Sequence, residues 1–518
     1  MYPGAYAAAT PDKPALIMAD TGEVVTYASL EERSVRLSRL LHERGLRPGD
    51  SFTLLSENSP RHHEAYWAAL RSGLYLTAVN YHLALDEILY ILRDCGTCVL
   101  IVSAAQADMA RQIAERAPQI TVRFVFGGSV EGFEDYESAL ASAPSQPFAH
   151  QPCGADMQYS SGTTGRPKGV RAPLPERQVT EPGDPLVAVF GPMYGFDENS
   201  VYLSPAPLYH AAPLRFGGIV HALGGTVVIM PRFDARTALE LIEKYRVTHS
   251  QWVPTMFVRM LKLPAEDRER FDLSSLEVAV HAAAPCPVEV KHAMIDWWGP
   301  ILYEYYAATE AAGITLIGPR EWSQRPGSVG RAALGVLHIC EDDGDKGREL
   351  PPGQVGLVYF ERETMPFAYH NDPDKTRAAQ HPQHANWATT GDIGRVDEDG
   401  YLYLTDRRAF MIISGGVNIY PQEVENVLTL HPKVLDVAVI GVPDPEMGEQ
   451  VKAVVQPAAG VATGPELERE LLDYVRDRIA HFKAPKSVDF ADTLPRTPTG
   501  KLIKRLLRQQ YTNSRLTS

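Results

Sequence analysis

Residues 159–170 read Tyr159-Ser160-Ser161-Gly162-Thr163-Thr164-Gly165-Arg166-Pro167-Lys168-Gly169-Val170. Gly162, Gly165 and Gly169 let the backbone turn and come close to a ligand. Ser160, Ser161, Thr163 and Thr164 add hydroxyl donors, and Lys168 adds a compact, mobile positive charge. Together they suit a cradle for a polyphosphate. The spacing is not that of a Walker A loop, which puts four residues between its first glycine and Gly-Lys-Ser/Thr, nor that of a dinucleotide fingerprint. A bare cluster of Gly, Ser and Thr is more often a flexible surface loop, so the rest of the chain must decide between the two readings.

Outward from this loop, helical patterns alternate with short β-branched runs. Ala65–Leu70 has a helical pattern and leads through Gly73 to a strand at Leu76–Val79. Leu239–Tyr245 leads to Val247, and Leu276–Val280 precedes a helix from Val288 to Trp297. The apolar runs Cys98–Val102 and Gly224–Met230 read as buried strands. Such alternation predicts an α/β fold with mostly parallel sheets and covering helices. Ligands in such folds bind in loops at the C-terminal ends of the strands.

The last stretch has a separate pattern. Pro421 opens a helix with an apolar face of Val424, Val427 and Leu428, Val437–Ile440 is a strand candidate, and Leu467, Leu471, Val475 and Ile479 recur every four residues. The predicted organisation is a large N-terminal domain of several subdomains, 1–406, and a small α+β C-terminal domain, 407–518. The Pro-rich stretch near Pro173 and Pro175 reads as a surface loop.

The composition of the 518 residues, 44% hydrophobic and 22% charged, is that of an ordinary globular protein. The net charge of -14 argues against tight nucleic-acid binding. It leaves room for anionic nucleotides held locally by backbone donors. The N-terminal residues lack the basic start and apolar run of a secretory signal, and no segment has the length of a membrane span. A cytoplasmic enzyme is expected. The five cysteines suit a reducing compartment. Cys95-Gly96-Thr97-Cys98 could serve as a redox or metal clip, but the chain has no second cysteine pair, and two small buried thiols at a turn is the better reading.

The twelve-residue loop resembles the signature of the adenylate-forming (AMP-binding) superfamily, which includes acyl-CoA synthetases, firefly luciferases and nonribosomal-peptide adenylation domains. Further segments match in the same order. Pro207-Leu208-Tyr209-His210 is similar to the segment carrying an aromatic gate, and Tyr305-Tyr306-Ala307-Ala308-Thr309-Glu310 to the Tyr-Gly-x-Thr-Glu segment. Then come Tyr369 to Thr376, Thr390-Gly391-Asp392, Arg407 with Ser414–Pro421, and Pro495–Lys501. The resemblance extends over nearly the whole chain.

It implies an ATP-dependent, AMP-forming acyl-CoA ligase with Mg²⁺ as cofactor and CoA as co-substrate. A carboxylate attacks the α-phosphate of ATP, and a thiol then attacks the acyl-adenylate. Positioning and cations supply the catalysis, without a side-chain nucleophile. The resemblance makes Lys501 the catalytic lysine, carried by a mobile C-terminal domain; taken alone it reads as a surface lysine beside Lys504 and Arg505, a basic helix face. Glu310 would bind Mg²⁺, with Thr163 and Thr309 at the phosphates. Ser160, Ser161, Gly162, Thr164, Gly165 and Lys168 would hold ATP, Tyr306 would stack on adenine, and Asp392 and Arg407 would face the ribose. Taken alone, Tyr306 is a core aromatic and Asp392 a turn residue after Gly391.

Ala283, Ala284 and Pro285 resemble the Gly-rich strand end beside adenine. Alanine replaces glycine there and at Ala307, which is tolerable where contacts come from backbone. Gly415 and Gly416 are candidates for the CoA site, and His210 and Trp252 for the acyl pocket; a lone histidine is often simply a half-buried, satisfied residue. Ala409 stands at the family's hinge position. A fatty or other hydrophobic acid is expected, since Gln251-Trp252-Val253 offers no Asp to pair an amine; ring-containing acids stay open. The competing readings are a ligase that loads a carrier-protein thiol and a degenerate nucleotide-binding scaffold. A homodimer is compatible with the sequence.

Overall fold

The computed structural model describes residues 2–160, 167–342, 347–415, 417–496 and 502–513. A six-stranded sheet runs in the order Glu134–Asp135, Val122–Phe126, Val99–Ser103, Ser51–Leu55, Tyr75–Val79, Ala155–Asp156, with every pairing parallel. Its central strands are buried at every position, which is why they are mostly apolar, with only hydroxyl-bearing Ser and Thr among their aliphatic and aromatic residues.

A nine-stranded sheet lies behind it, in the order Arg331–Leu334, Ile314–Ile317, Leu302–Tyr306, Val278–His281, His249–Trp252, Val201–Ser204, Thr226–Ile229, Pro14–Met18, Val24–Thr26. From Leu302–Tyr306 to Pro14–Met18 the pairings are parallel; those outside are antiparallel.

Helices Tyr27–Glu43, Arg61–Leu70, Pro185–Tyr194 and Ala211–Ala222 fill the space between the two sheets and share one core with both. Helices Leu85–Asp94 and Ala107–Arg116 cover the outer face of the first sheet. Ala235–Tyr245, Pro254–Leu261 and Val288–Trp298 cover that of the second. The layers therefore alternate helix, sheet, helix, sheet, helix. Because successive side chains on a strand face opposite ways, Leu302 packs outward and Tyr305 inward on one strand.

An antiparallel sheet of Val336–Cys340, Gly356–Glu361, Asp392–Val396 and Leu402–Arg407 follows, with Trp387–Ala388 on its side. The last unit is built on Val434–Asp444 and Gly448–Pro457, with Ile412–Ser414, Val417–Ile419 and Ser487–Phe490 completing the sheet. Val437 and Val439 face helices Pro421–Thr429 and Pro465–Arg476, while Ala438 and Ile440 face Lys504–Asn513.

Two expectations change. Arg407, assigned by sequence to the C-terminal domain, is the last residue of a strand in the preceding sheet, where it pairs with Asp392; a short turn of 3₁₀ helix, Arg408–Phe410, leads out of it. Lys504 is not on a solvated basic face. It is 5% exposed, its Nζ is 2.8 Å from Glu425, and it lies over the Phe410 ring. A partner so far away in sequence leaves no local trace. Among the described residues no helix is long and apolar enough to cross a membrane.

Candidate active site

The C-terminal ends of the parallel strands converge on one edge of the nine-stranded sheet. Strand Leu302–Tyr306 delivers Tyr306 there, and its neighbour Val278–His281 ends in the turn at Ala282. Ala283 and Ala284 are exposed, so their backbone is open to a ligand. Ala283 has φ +76, a left-handed conformation that costs an alanine about 1–2 kcal/mol. The glycine-to-alanine change at this position is therefore not neutral, because the turn itself requires the conformation glycine adopts freely.

Asp392, 6% exposed, opens the strand Asp392–Val396 opposite Tyr306. Its Oδ2 accepts from the Tyr306 hydroxyl and the Thr390 hydroxyl, both at 2.7 Å. Its Oδ1 accepts from Arg407 Nε at 3.1 Å. The resemblance gives this carboxylate to two ribose hydroxyls, but here three protein donors occupy it, so a nucleotide must displace at least one of them. Burial raises the Tyr306 hydroxyl well above its ordinary value, and the Asp392 charge adds to that. Burial opposes the charge on Arg407, yet Asp392, Tyr306 and Glu310 together raise it.

Ser160 and Lys168 face each other across the antiparallel pair Gln158–Ser160 and Lys168–Arg171. Ser161, Gly162, Thr163, Thr164 and Gly165 lie outside the described residues. Gly169 permits close packing: a Cβ there would come within 2.9 Å of Met157 and Tyr159. Lys168 Nζ stands 4.8 Å from the centre of the Tyr369 ring, and the Tyr369 hydroxyl donates to Glu310 Oε1 at 2.9 Å. Burial pushes the Lys168 ammonium down, and Glu310 offsets part of this. An ammonium close to one carboxylate is suited to anionic phosphates and a cation between them. Thr309 lies half-buried beside Glu310.

His210 stands at the N-terminal position before helix Ala211–Ala222 without a side-chain capping bond, half-buried, with its ring 4.6 Å from that of Tyr209. Trp252 is elsewhere. It is 1% exposed, packs with Phe257 and Trp298 in the outer core, and donates its indole N–H to Ser250 Oγ at 2.7 Å. It belongs to the packing and not to a pocket on the inner face, where the Ala211–Ala222 helix lies. Gly415 has φ +57, and its N–H donates to Met447 O; Gly416 and Lys501 lie outside the described residues. Arg496 and Leu502, on either side of the Lys501 segment, are bridged. Thr390 and Tyr369, which hold Asp392 and Glu310, went unassigned as site residues because their partners are set by folding alone.

Residues 5–369 match the model of the AMP-binding enzyme family, and 423–501 that of the AMP-binding enzyme C-terminal domain. The chain belongs to the AMP-binding enzyme family. It is an AMP-forming acyl-CoA ligase of that family. It is 34% identical over 501 residues to feruloyl-CoA synthase of Amycolatopsis sp, covering 95% of this chain and 94% of that protein. It is 31% identical over 506 residues to the fatty acid–[acyl-carrier-protein] ligase ScoC of Streptomyces coeruleorubidus, covering 97% and 94%. The ligase also superimposes on the anthranilate CoA ligase AuaEII in complex with anthranoyl-AMP. The TM-score is 0.84 at 25% identity, covering 99% of this chain and 97% of that one.

Proposed function

We propose that this ligase activates a hydrophobic carboxylic acid with ATP at the site between Tyr306, Asp392, Arg407, Lys168 and Glu310, and passes the acyl group to CoA. The carboxylate oxygen bonds to the α-phosphorus, and the bond to pyrophosphate breaks. The thiol sulfur then bonds to the acyl carbon, the carbon–oxygen bond to AMP breaks, and the thiol proton goes to solvent. The observation that supports this most is the convergence of Lys168 and Glu310 with Tyr306 and Asp392 at the strand ends, which puts phosphate and nucleoside groups side by side.

Each residue has a role its chemistry suits. Tyr306 offers its ring to adenine, the exposed backbone of Ala283 and Ala284 edges it, and Asp392 with Arg407 orients the ribose. Lys168 and the loop from Ser160 to Gly165 hold the phosphates. Glu310 fits Mg²⁺, because Tyr369 occupies one carboxylate oxygen and leaves the other for a hard cation. When bound, Mg²⁺ neutralises phosphate charge. Lys501 is assigned to the carboxylate and α-phosphate by its motif alone.

The test is chromatography of the nucleotide products with a panel of acids. AMP and pyrophosphate that appear only with an acid are expected; ADP as the sole product refutes the reading. Replacing CoA with holo-carrier protein in the same assay separates the two acceptors, and acyl-CoA is the expected product.

A further inference from the structure

Two charges are buried behind the turn at Ala282–Pro285 and take no part in the chemistry described above. Lys291 is 0% exposed and Glu304 5%, and Lys291 Nζ donates to Glu304 Oε2 at 2.6 Å. His281, also fully buried, brings its Nε2 to 3.5 Å from the same oxygen. Neither of its ring nitrogens has a hydrogen-bond partner among the described residues. The Lys291 ammonium lies 4.5 Å from the centre of the Trp322 ring. Burial pushes the Glu304 carboxyl up, and Lys291 opposes this. Burial and the Lys291 charge push the His281 ring down, so it is neutral beside the pair. Taking an ion pair out of water commonly gains no stability over apolar side chains of the same size. The pair therefore needs a reason other than stability.

Its place in the fold supplies one. His281 and Glu304 stand opposite each other on adjacent parallel strands. The first strand ends at His281 and runs straight into the turn, and the second ends at Tyr306. Side chains alternate along a strand, so Glu304 and Tyr306 share a face. Lys291 lies on helix Val288–Trp298, which begins just beyond Pro285. The Lys291–Glu304 bond thus ties the helix that leaves the turn to the strand that carries Tyr306. Ala283 sits inside the loop so closed, at φ +76. Backbone strain of this kind persists only where the surroundings over-determine it, and a short charge-assisted bond is a stiff constraint.

We propose that Lys291 and Glu304 are positioning residues for the adenine end of ATP. They set the gap between the exposed Ala283–Ala284 backbone and the Tyr306 ring, where the base is held, and touch no substrate themselves. This assignment rests on the adenylation proposed above.

The experiment titrates the full chain with ATP and Mg²⁺ and, separately, with tripolyphosphate and Mg²⁺, a probe that has phosphates and no base. Thermal midpoints are recorded alongside. Lys291→Met and Glu304→Gln each leave one buried charge unpaired. Both should lower the midpoint and weaken ATP binding by about tenfold or more, with tripolyphosphate binding unchanged. The double variant K291M/E304Q leaves no charge unpaired. Its midpoint should return towards that of the wild type while ATP binding stays weak, and it decides the matter even where the single variants fail to fold. A purely structural pair predicts that ATP affinity recovers with the midpoint, and that result overturns the assignment. So does equal weakening of ATP and tripolyphosphate, or unchanged ATP affinity in folded single variants. Wild-type protein that binds neither probe overturns the adenylation reading itself and this assignment with it.

Discussion

At the scale of single residues, Asp392 is the most informative. By sequence it is a turn aspartate or a ribose ligand. In the fold it is a buried carboxylate that holds Tyr306, Thr390 and Arg407 in place. Asp392→Ala removes charge-assisted hydrogen bonds worth about 1.5–3 kcal/mol and frees Tyr306 and Arg407 at once. Calorimetric titration should show ATP binding weakened by roughly that amount and acid binding weakened less. Unchanged ATP affinity in a folded variant takes Asp392 out of the site. Ala283 shows the opposite kind of surprise: its side chain is small and bland, and only the backbone angle reveals that the position favours glycine.

At the scale of elements, two of the four helices between the sheets carry a set of buried histidines. His62 and His63 lie on Arg61–Leu70 and His221 on Ala211–Ala222, all with no exposed surface. Burial pulls His62 down to about 4 and His221 to about 3, and His63 falls well below its ordinary value for the same reason. The folded protein therefore holds them neutral, while the unfolded chain takes up protons below pH ~6.5. Stability linked to these groups is present above that pH and is lost as pH falls towards 4, by more than about 1 kcal/mol per pH unit. Urea midpoints at pH 7, 6 and 5 should fall in that order. His62→Gln should flatten the slope, and an unchanged slope would mean that these rings do not govern acid sensitivity.

At the scale of the whole molecule, several contacts tie the C-terminal unit to the rest. Lys262 Nζ donates to Val434 O at 2.7 Å, and Arg408 pairs with Asp342 at 2.9 Å. Tyr420 packs against the cluster containing Cys340, Tyr359 and Trp387. Leu430 also packs against the outer core of the nine-stranded sheet, and the sequence-expected hinge residue Ala409 lies in Arg408–Phe410 between the two units, where a rotation between two half-reactions would act. Lys501 and the glycines at 415 and 416 lie at opposite ends of the C-terminal segment, and one rigid pose need not present both. Lys501→Ala should then lose acyl-adenylate formation by orders of magnitude. It should keep much of its ability to make acyl-CoA from supplied acyl-adenylate. A folded variant equally crippled in both steps would contradict that division.

The sequence by itself determined the layered α/β architecture, because parallel strands buried on both faces must be mostly apolar, as the runs 99–102 and 227–229 within Val99–Ser103 and Thr226–Ile229 are. It also determined the family, through motifs whose residue types are set by phosphate chemistry. What it could not determine were relations across long sequence separations. The pairing of Lys504 with Glu425, the triple use of Asp392 and the position of Trp252 in the outer core were decided only by tertiary structure. A strand's alternation shows which residues share a face, but which face meets the ligand depends on how the sheets and helices stack.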